Sequence, residues 1–256
     1  MAVSDSSPIV TPEEVEAFLR DLPFSMDRAG FLRFAVGFPR RYLEATPPVE
    51  VVRHYALMQS LGPRNVVSSV SREEGLWKLS LVAKDRRALF SRIAGALSCF
   101  GLDIVSADAF ANANSLVLDT FRVGDDEGRF RDPVERRRFQ AFLVDVIEGR
   151  TDLEAELRKS PGALASQGEP LSIAWDDEAH PVASRLTLVG CDRRGLLYGV
   201  SRAMSEAGLD IEVAYVDTSG ERVKDEFFLT RDGRRPTESE KAALAASLGR
   251  LVPPRG

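Results

Sequence analysis

Cysteine and histidine, the residues from which metal centres and disulfide frameworks are built, are scarce in this sequence. Its 256 residues include two cysteines, Cys99 and Cys191, and two histidines, His54 and His180. The cysteines lie far apart and neither belongs to a C-x-x-C motif, so neither a disulfide framework nor a zinc site is supported. Two isolated histidines cannot form a metal-hydrolase centre. We therefore expect no metal and no cofactor.

Long apolar runs and phosphate-binding motifs are missing as well. No stretch of about 18 consecutive apolar residues occurs, so no membrane span is expected. The N-terminal sequence MAVSDSSPIV lacks the basic and apolar segments of a secretion signal, and no P-loop motif is present. These features predict a cytoplasmic protein. The net charge of −5 argues against nucleic acid or an anionic membrane as the main partner.

What the sequence does contain is an internal repeat. Residues 85–104 read DRRALFSRIAGALSCFGLDI and residues 192–211 read DRRGLLYGVSRAMSEAGLDI, with half of the positions identical at a constant offset of 107 residues. The match extends upstream, where LSLVAKD aligns with LTLVGCD, and downstream, where LDTFRV aligns with KDEFFL after a one-residue gap. The chain therefore contains a duplicated module.

Each copy predicts the element order β-α-β-β-α. In the first copy, apolar residues three and four apart predict an amphipathic helix, with Asp85 as its N-cap and Gly101 as its stop. Asp192 is the corresponding N-cap in the second copy. Another helix is predicted between Asp132 and Gly149. The order is most of a ferredoxin-like βαββαβ unit, so the predicted fold class is α+β, with two such modules after a small helical segment.

The expected domain boundaries leave one strand unassigned. We place the helical N-terminal segment at 1–64, the first module at 75–149, a linker at 150–183 and the second module at 184–250. A further strand is predicted at 171–175. It either closes the first module or is shared with the second.

The repeat resembles the signature of ACT domains, which are small ligand-sensing βαββαβ modules. The tandem arrangement, the motifs LDTFRV and KDEFFLT, and the segment FPRRYLEATPPVEVVRHYALM are similar to the C-terminal regulatory region of the bacterial PII signal-protein uridylyltransferase. The resemblance covers about residues 31–245. That enzyme also has a nucleotidyltransferase domain with paired aspartates and a hydrolase domain with metal-binding histidines. This sequence has no D-x-D or His-Asp pair, so the resemblance implies a regulatory protein without the catalytic domains.

A ligand site is predicted at the strand-to-helix loops. Backbone N–H groups at a helix N-terminus, together with the helix dipole, favour a carboxylate such as that of an amino acid. The second loop has the glycine that permits close backbone approach, whereas Ala88 and Arg87 replace the family's glycine and proline in the first, which favours a structural role there. The predicted ligand-binding residues are Asp192, Arg193, Arg194, Gly195, Leu196 and Asp225, with Asp85, Arg86, Arg87, Ala88 and Asp119 as weaker candidates from the first repeat.

Two strand aspartates add a second hypothesis. Asp119 and Asp225 are in phase with apolar strand residues, and a carboxylate in an apolar row needs a partner. Each could receive the ammonium group of an amino acid. The interpretation favoured by the sequence alone is a position at a strand end or a pair with an arginine.

The predicted function is regulatory amino-acid sensing without catalysis. The resemblance implies glutamine as the ligand, a protein partner in nitrogen signalling, and pairing of ACT modules within one chain or in a homodimer. Two alternatives stay open. One is a ligand-free dimerisation or docking module, and the other is a uridylyltransferase-related protein that acts with a catalytic partner.

Overall fold

The computed structural model describes residues 10–20, 27–160 and 170–251. The start of the predicted N-terminal segment and residues 161–169 of the predicted linker lie outside the described residues. Within the described part of the chain, no helix is long and apolar enough to cross a membrane.

The described N-terminal region is helical. It contains α1 (Pro12–Arg20), α2 (Arg28–Ala35), α3 (Arg40–Ala45) and α4 (Pro48–Gln59). Proline occupies the first position of α1 and α4, where its missing N–H would have no intrahelical partner. Asp27 caps α2 by accepting a 3.1 Å hydrogen bond from the backbone N–H of Gly30. Local capping therefore sets where these short helices begin.

The first module consists of four strands and two helices. Its elements are β1 (Val66–Glu73), β2 (Leu76–Lys84), α5 (Leu89–Cys99), β3 (Asp103–Asn112), β4 (Leu116–Gly124) and α6 (Pro133–Glu148). Asp132 caps α6 through the N–H of Val134 at 2.8 Å, and Gly149 ends it with φ 76°, which confirms the predicted boundaries. The short helix α7 (Leu153–Lys159) follows.

The second module has the same arrangement. It contains β5 (Ser172–Asp176), β6 (Ser184–Cys191), α8 (Leu196–Glu206), β7 (Asp210–Ser219), β8 (Arg222–Thr230) and α9 (Glu238–Leu251). Strand β5 pairs antiparallel with β6, with Ala174 opposite Thr187. It therefore belongs to the second module, and the first module is closed by β1, a strand that the sequence analysis missed.

The eight strands form one antiparallel sheet in the order β1-β2-β4-β3-β7-β8-β6-β5. Each module thus has the strand order expected of a ferredoxin-like unit. Its outer strand, β1 or β5, comes before the β-α-β-β-α segment in the chain, whereas in a βαββαβ unit the corresponding strand comes last. The predicted α+β fold with two such modules is confirmed, with this change of connection. The modules join through β3 and β7, which pair from Ser106 with Asp217 to Phe110 with Val213.

Both faces of the sheet are covered over the first module. Helices α5, α6 and α8 pack with core residues such as Leu81, Phe121 and Phe227 on one face. The N-terminal helices cover the other face. Their residues Phe34 and Tyr42 belong to one apolar cluster with five strand residues, namely Val82, Phe110, Leu118, Val213 and Phe228. This coverage explains why β2 is buried along nearly its whole length, a pattern that is typical of strands packed on both faces.

Candidate ligand site

The two strand-to-helix loops have the same backbone geometry. Ala88, the residue before α5, is left-handed with φ 62° and ψ 20°, and Gly195, the residue before α8, has φ 78° and ψ 3°. The alanine therefore adopts the conformation for which glycine is usually needed. The alanine of the first repeat and the glycine of the second therefore hold the same left-handed conformation.

The helix N-termini differ from the sequence prediction in their caps. We predicted Asp85 and Asp192 as N-caps, and this is wrong: the N-cap positions are Ala88 and Gly195, and neither helix has a side-chain cap within the described part of the chain. Asp192 instead accepts a 2.7 Å hydrogen bond from the N–H of Arg193. The first N–H of each helix is already used, because Leu89 donates to the carbonyl of Arg86 and Leu196 to that of Arg193. The next two N–H groups of each helix have no acceptor one turn back among the described residues, so they remain able to bind an anion.

Because Ala88 is strained and Gly195 is not, opposite substitutions are expected to have opposite effects on stability. Ala88→Gly should raise the free energy of unfolding by about 1 kcal/mol, and Gly195→Ala should lower it by about 1 kcal/mol. Urea denaturation of the two variants beside the wild type measures both changes. A loss of stability in Ala88→Gly would contradict the left-handed conformation at this position.

The first loop opens into a cavity of about 410 Å³ between the two modules. From the first module, the cavity is lined by the loop from Asp85 to Ala88, the first turn of α5, and parts of β3 and β4. From the second module, it is lined by the end of α8, the beginning of β7, and Arg231 and Asp232 after β8. Its volume lies in the range of about 300–1,000 Å³ that is typical of small-molecule sites.

Asp119 lies in the wall of this cavity and has no hydrogen-bond partner within the described ranges. It is in the middle of β4, opposite Leu81 on β2 and Ala109 on β3. Its side chain is fully buried, and neither carboxylate oxygen has a hydrogen-bond partner among the residues that the structure describes. Burial, and secondarily the negative charge of Asp85, raises the pKa of Asp119 to about 8. The favoured interpretation, a strand-end position or an arginine partner, is therefore wrong for Asp119.

The second loop lines a much smaller pocket. Together with Asp225, the predicted residues Asp192 to Leu196 surround a space of about 30 Å³, which is enough for about one water molecule and too small for an amino acid. Arg194 contributes to the closure, because its Nε lies 3.3 Å from Oδ1 of Asp103 in the first module.

Asp225 resembles Asp119 in its burial. It is 2% exposed, and its Oδ1 has no hydrogen-bond partner among the described residues. Burial is the main cause that raises its pKa to about 7. The two repeats thus place equivalent aspartates in equivalent pockets, of which only the first is large enough for an amino acid.

The difference between the two pockets depends on equivalent arginines. Arg87 occupies the position in the first loop that Arg194 occupies in the second, and Asp210 corresponds to Asp103. Arg194 reaches Asp103, whereas Nη2 of Arg87 donates a 3.0 Å hydrogen bond to the backbone carbonyl of Ser205. The first pocket therefore remains open beside Asp210.

The wall that the second module contributes to the open cavity was not predicted from the sequence. This wall consists of Ser201, Ser205, Gly208, Leu209, Asp210, Ile211, Glu212, Arg231 and Asp232. Six of them lie in the repeated segment 192–211, but that segment does not indicate that they line a cavity of the other repeat. The only available signal was the duplication itself, because paired modules place the loop of one beside the strands of the other.

Sequence comparison relates the chain to bacterial enzymes. It is 30% identical over 228 residues to the bifunctional uridylyltransferase/uridylyl-removing enzyme of Azospirillum brasilense, covering 85% of this chain and 24% of that enzyme. The corresponding enzyme of Phenylobacterium zucineum is 31% identical over 219 residues, covering 81% and 23%. The predicted resemblance to the uridylyltransferases is confirmed. The chain spans about a quarter of the length of these relatives. No family model matches the chain.

Two solved structures show a weak likeness. Aspartate kinase from Synechocystis gives a TM-score of 0.37 at 14% identity, over 70% of this chain and 27% of that chain. The regulatory subunit of aspartate kinase from Thermus thermophilus, in its ligand-free form, gives a TM-score of 0.21 at 16% identity, over 73% and 99%. These scores are too low to support an argument about this chain.

Proposed function

We propose that this chain, a tandem pair of ACT-type regulatory modules related to a segment of the bacterial uridylyltransferases, senses an amino acid in the cavity between its modules. One observation carries the proposal: Asp119 and the N-terminus of α5 line the same cavity of about 410 Å³, and among the described residues neither has a side-chain partner or cap. An amino acid has the two charges that complement these groups.

The proposed binding mode follows from the electrostatics of the two ends. The α-carboxylate of the ligand accepts hydrogen bonds from the N–H groups of Phe90 and Ser91 in the first turn of α5, since that of Leu89 is already bonded to Arg86. The helix dipole also favours negative charge there. The α-ammonium group pairs with Asp119. This contact supplies the partner that a buried carboxylate otherwise lacks, so it recovers part of the free energy lost on burial.

Regulation follows because the ligand contacts both modules. The loop, α5 and β4 belong to the first module, whereas the end of α8 and the beginning of β7 belong to the second. A ligand that contacts both walls stabilises one relative placement of the modules over others, which is the requirement for a conformational signal. The kinship with the uridylyltransferases supports a partner protein in nitrogen signalling that reads this signal, and glutamine as the first ligand to test.

Isothermal titration of the chain with single amino acids, beginning with glutamine, tests the proposal. The wild type should show saturable binding of at least one amino acid. Ala111→Phe, which places a large side chain at a half-buried position in the cavity wall, should weaken that binding by at least about ten-fold. Ala113→Phe is the matched control, because Ala113 is exposed in the hairpin turn two residues further on.

The titration separates the proposal from its alternatives. Circular dichroism must show that both variants are folded. If no amino acid binds the wild type at millimolar concentration, the sensing function is wrong, and the ligand-free docking module becomes the better hypothesis. If Ala111→Phe binds as tightly as Ala113→Phe, the ligand lies elsewhere than in this cavity.

A further inference from the structure

We infer that the amino acid bound in the open cavity carries a positively charged side chain, so that a basic amino acid such as lysine binds more tightly than neutral glutamine. The inference rests on the proposed function and narrows its ligand class. It is carried by the surplus of carboxylates that line the cavity and by the arrangement of the arginines among them.

Acidic side chains outnumber basic ones in the cavity wall. The acidic residues are Asp85, Asp119, Asp210, Glu212 and Asp232, and the basic residues are Arg86, Arg87 and Arg231. A zwitterionic ligand with a neutral side chain would leave this surplus uncompensated. A second positive charge on the ligand would reduce it.

The three arginines are already engaged with backbone carbonyls at helix C-termini. Arg86 donates a 2.9 Å hydrogen bond to Ile147 in the last turn of α6. Arg87 and Arg231 donate to Ser205 and Ala207 at the end of α8, at 3.0 and 2.9 Å. Each charge thus offsets the partial negative charge at a helix C-terminus.

Besides the carbonyl of Ala207, Arg231 contacts a carboxylate that lies outside the cavity. Its Nε lies 3.2 Å from Oε1 of Glu240 on α9, so its positive charge is shared with a carboxylate that does not line the site. Arg231 is thus held by groups at the edge of the site, although Glu240 also pairs with Arg234.

Asp119 provides an independent sign that the cavity receives a cation. It is fully buried in the wall, and both its oxygens lack partners among the described residues. Once Asp119 holds the α-ammonium group, the carboxylates at the rim remain for a second cation. The pKa of Asp210 is raised mainly by burial. The nearby negative charges of Asp85 and Asp232 raise it further, whereas the positive charge of Arg87 lowers it.

Glu212 is the least available of the rim carboxylates. Its Oε1 accepts a 2.7 Å hydrogen bond from the hydroxyl of Thr230. Asp210 and Asp232, on the second module, are more exposed, and we assign the side-chain cation of the ligand to this pair. This assignment places the charge that selects the ligand on the opposite module from Asp119.

Titration with L-lysine, L-norleucine and L-glutamine at pH 8 tests the inference. Norleucine has the same carbon chain as lysine without the ε-ammonium group, so the comparison isolates the second charge. Lysine is expected to bind at least about ten-fold more tightly than either other ligand. In the double variant with Asp210→Asn and Asp232→Asn, the preference for lysine over norleucine should fall to about three-fold or less, while the norleucine affinity stays unchanged.

Asp126→Asn is the control, because it removes an exposed carboxylate outside the cavity wall and should keep the full preference. If norleucine or glutamine binds the wild type as tightly as lysine, the inference is wrong and the proposed function stands. If the preference survives in the double variant, the assignment to Asp210 and Asp232 is overturned. Absence of binding by every amino acid would refute the proposed function together with the inference.

Discussion

Asp119→Asn is expected to weaken amino-acid binding by at least about 100-fold, because it removes the negative charge that pairs with the ligand's ammonium group inside the protein. The asparagine has the same shape, so the loop, the helix N-terminus and the cavity wall should stay in place. A loss of affinity would then be due to the removed negative charge and not to a change in the shape of the site. Isothermal titration at pH 9, above the Asp119 pKa of about 8, measures the change with whichever amino acid binds the wild type.

Replacing the same residue with leucine should separate binding from stability. In the ligand-free protein, the Asp119 carboxyl is fully buried without a described hydrogen-bond partner, which costs free energy that an apolar side chain does not. We expect Asp119→Leu to abolish binding. At pH 5, where the folded protein still holds the Asp119 carboxyl protonated, it should raise the free energy of unfolding by about 1–2 kcal/mol. If the role of Asp119 were purely structural, the leucine substitution would lower the free energy of unfolding instead.

Asp225→Asn is the matched control for these variants. Asp225 occupies the equivalent strand position in the second repeat and is also buried, but it lines a pocket of about 30 Å³. Its substitution should leave the affinity unchanged. If Asp225→Asn abolished binding and Asp119→Asn did not, the ligand would lie at the second loop.

A second large effect is expected from pH. The pKa of Asp119 is raised from its model-peptide range to about 8 in the folded protein, chiefly by burial. The folded state therefore holds this proton more firmly than the unfolded state. The resulting stabilisation is complete below the unfolded pKa and is lost as the pH rises through about 8, with a total on the order of 5 kcal/mol between pH 4 and pH 8.

Urea denaturation at pH 5, 7 and 9 measures this dependence. Since other groups also titrate, the informative quantity is the difference between the wild type and Asp119→Asn, which cannot lose the proton. Relative to the variant, the wild type should lose stability with rising pH. Asp225, whose pKa is raised to about 7, changes stability with pH in the same direction. It is present in both proteins, so its contribution cancels in the difference between them. Parallel curves for the two proteins would contradict the raised pKa.

Ligand binding should show the complementary dependence. Only the ionised carboxylate attracts an ammonium group, so the affinity should increase by up to about ten-fold for each pH unit between pH 6 and pH 8 and then level off. Binding near pH 7 should also release a proton. Titrations in two buffers with different ionisation enthalpies detect that release, and its absence would argue against contact between the ligand and Asp119.

Several elements of the fold were predictable because their signals are local. The helices α5 and α8 follow from apolar residues spaced three and four apart, and α6 follows from the Asp132 cap and the Gly149 stop. The duplication predicted two modules of the same kind. Strand β1 was missed because it is an edge strand with an alternating, largely polar sequence, VVSSVSRE, whose burial is confined to its first two residues.

The site was only partly predictable. Both loops with their arginines, and the strand aspartates Asp119 and Asp225, were identified from the repeat, but the emphasis on the second loop depended on its glycine. The acidic and basic residues of the opposite wall were not predicted. The structure gives the larger cavity to the first loop, where Ala88 takes the left-handed conformation that its sequence disfavours. Backbone strain of this kind is imposed by the surrounding fold and cannot be read from a residue type.

The sequence by itself determined that the chain is a duplicated β-α-β-β-α module, that it resembles a regulatory region, and which residues form its loops. Tertiary structure alone decided which strand closes each module, and that β3 pairs with β7 so that each loop faces the neighbouring module. It also decided that Arg194 closes one pocket on Asp103 while Arg87 leaves the other open. The physical reason is that repeats and periodicity are properties of neighbouring residues, whereas cavities arise from contacts between residues about a hundred positions apart.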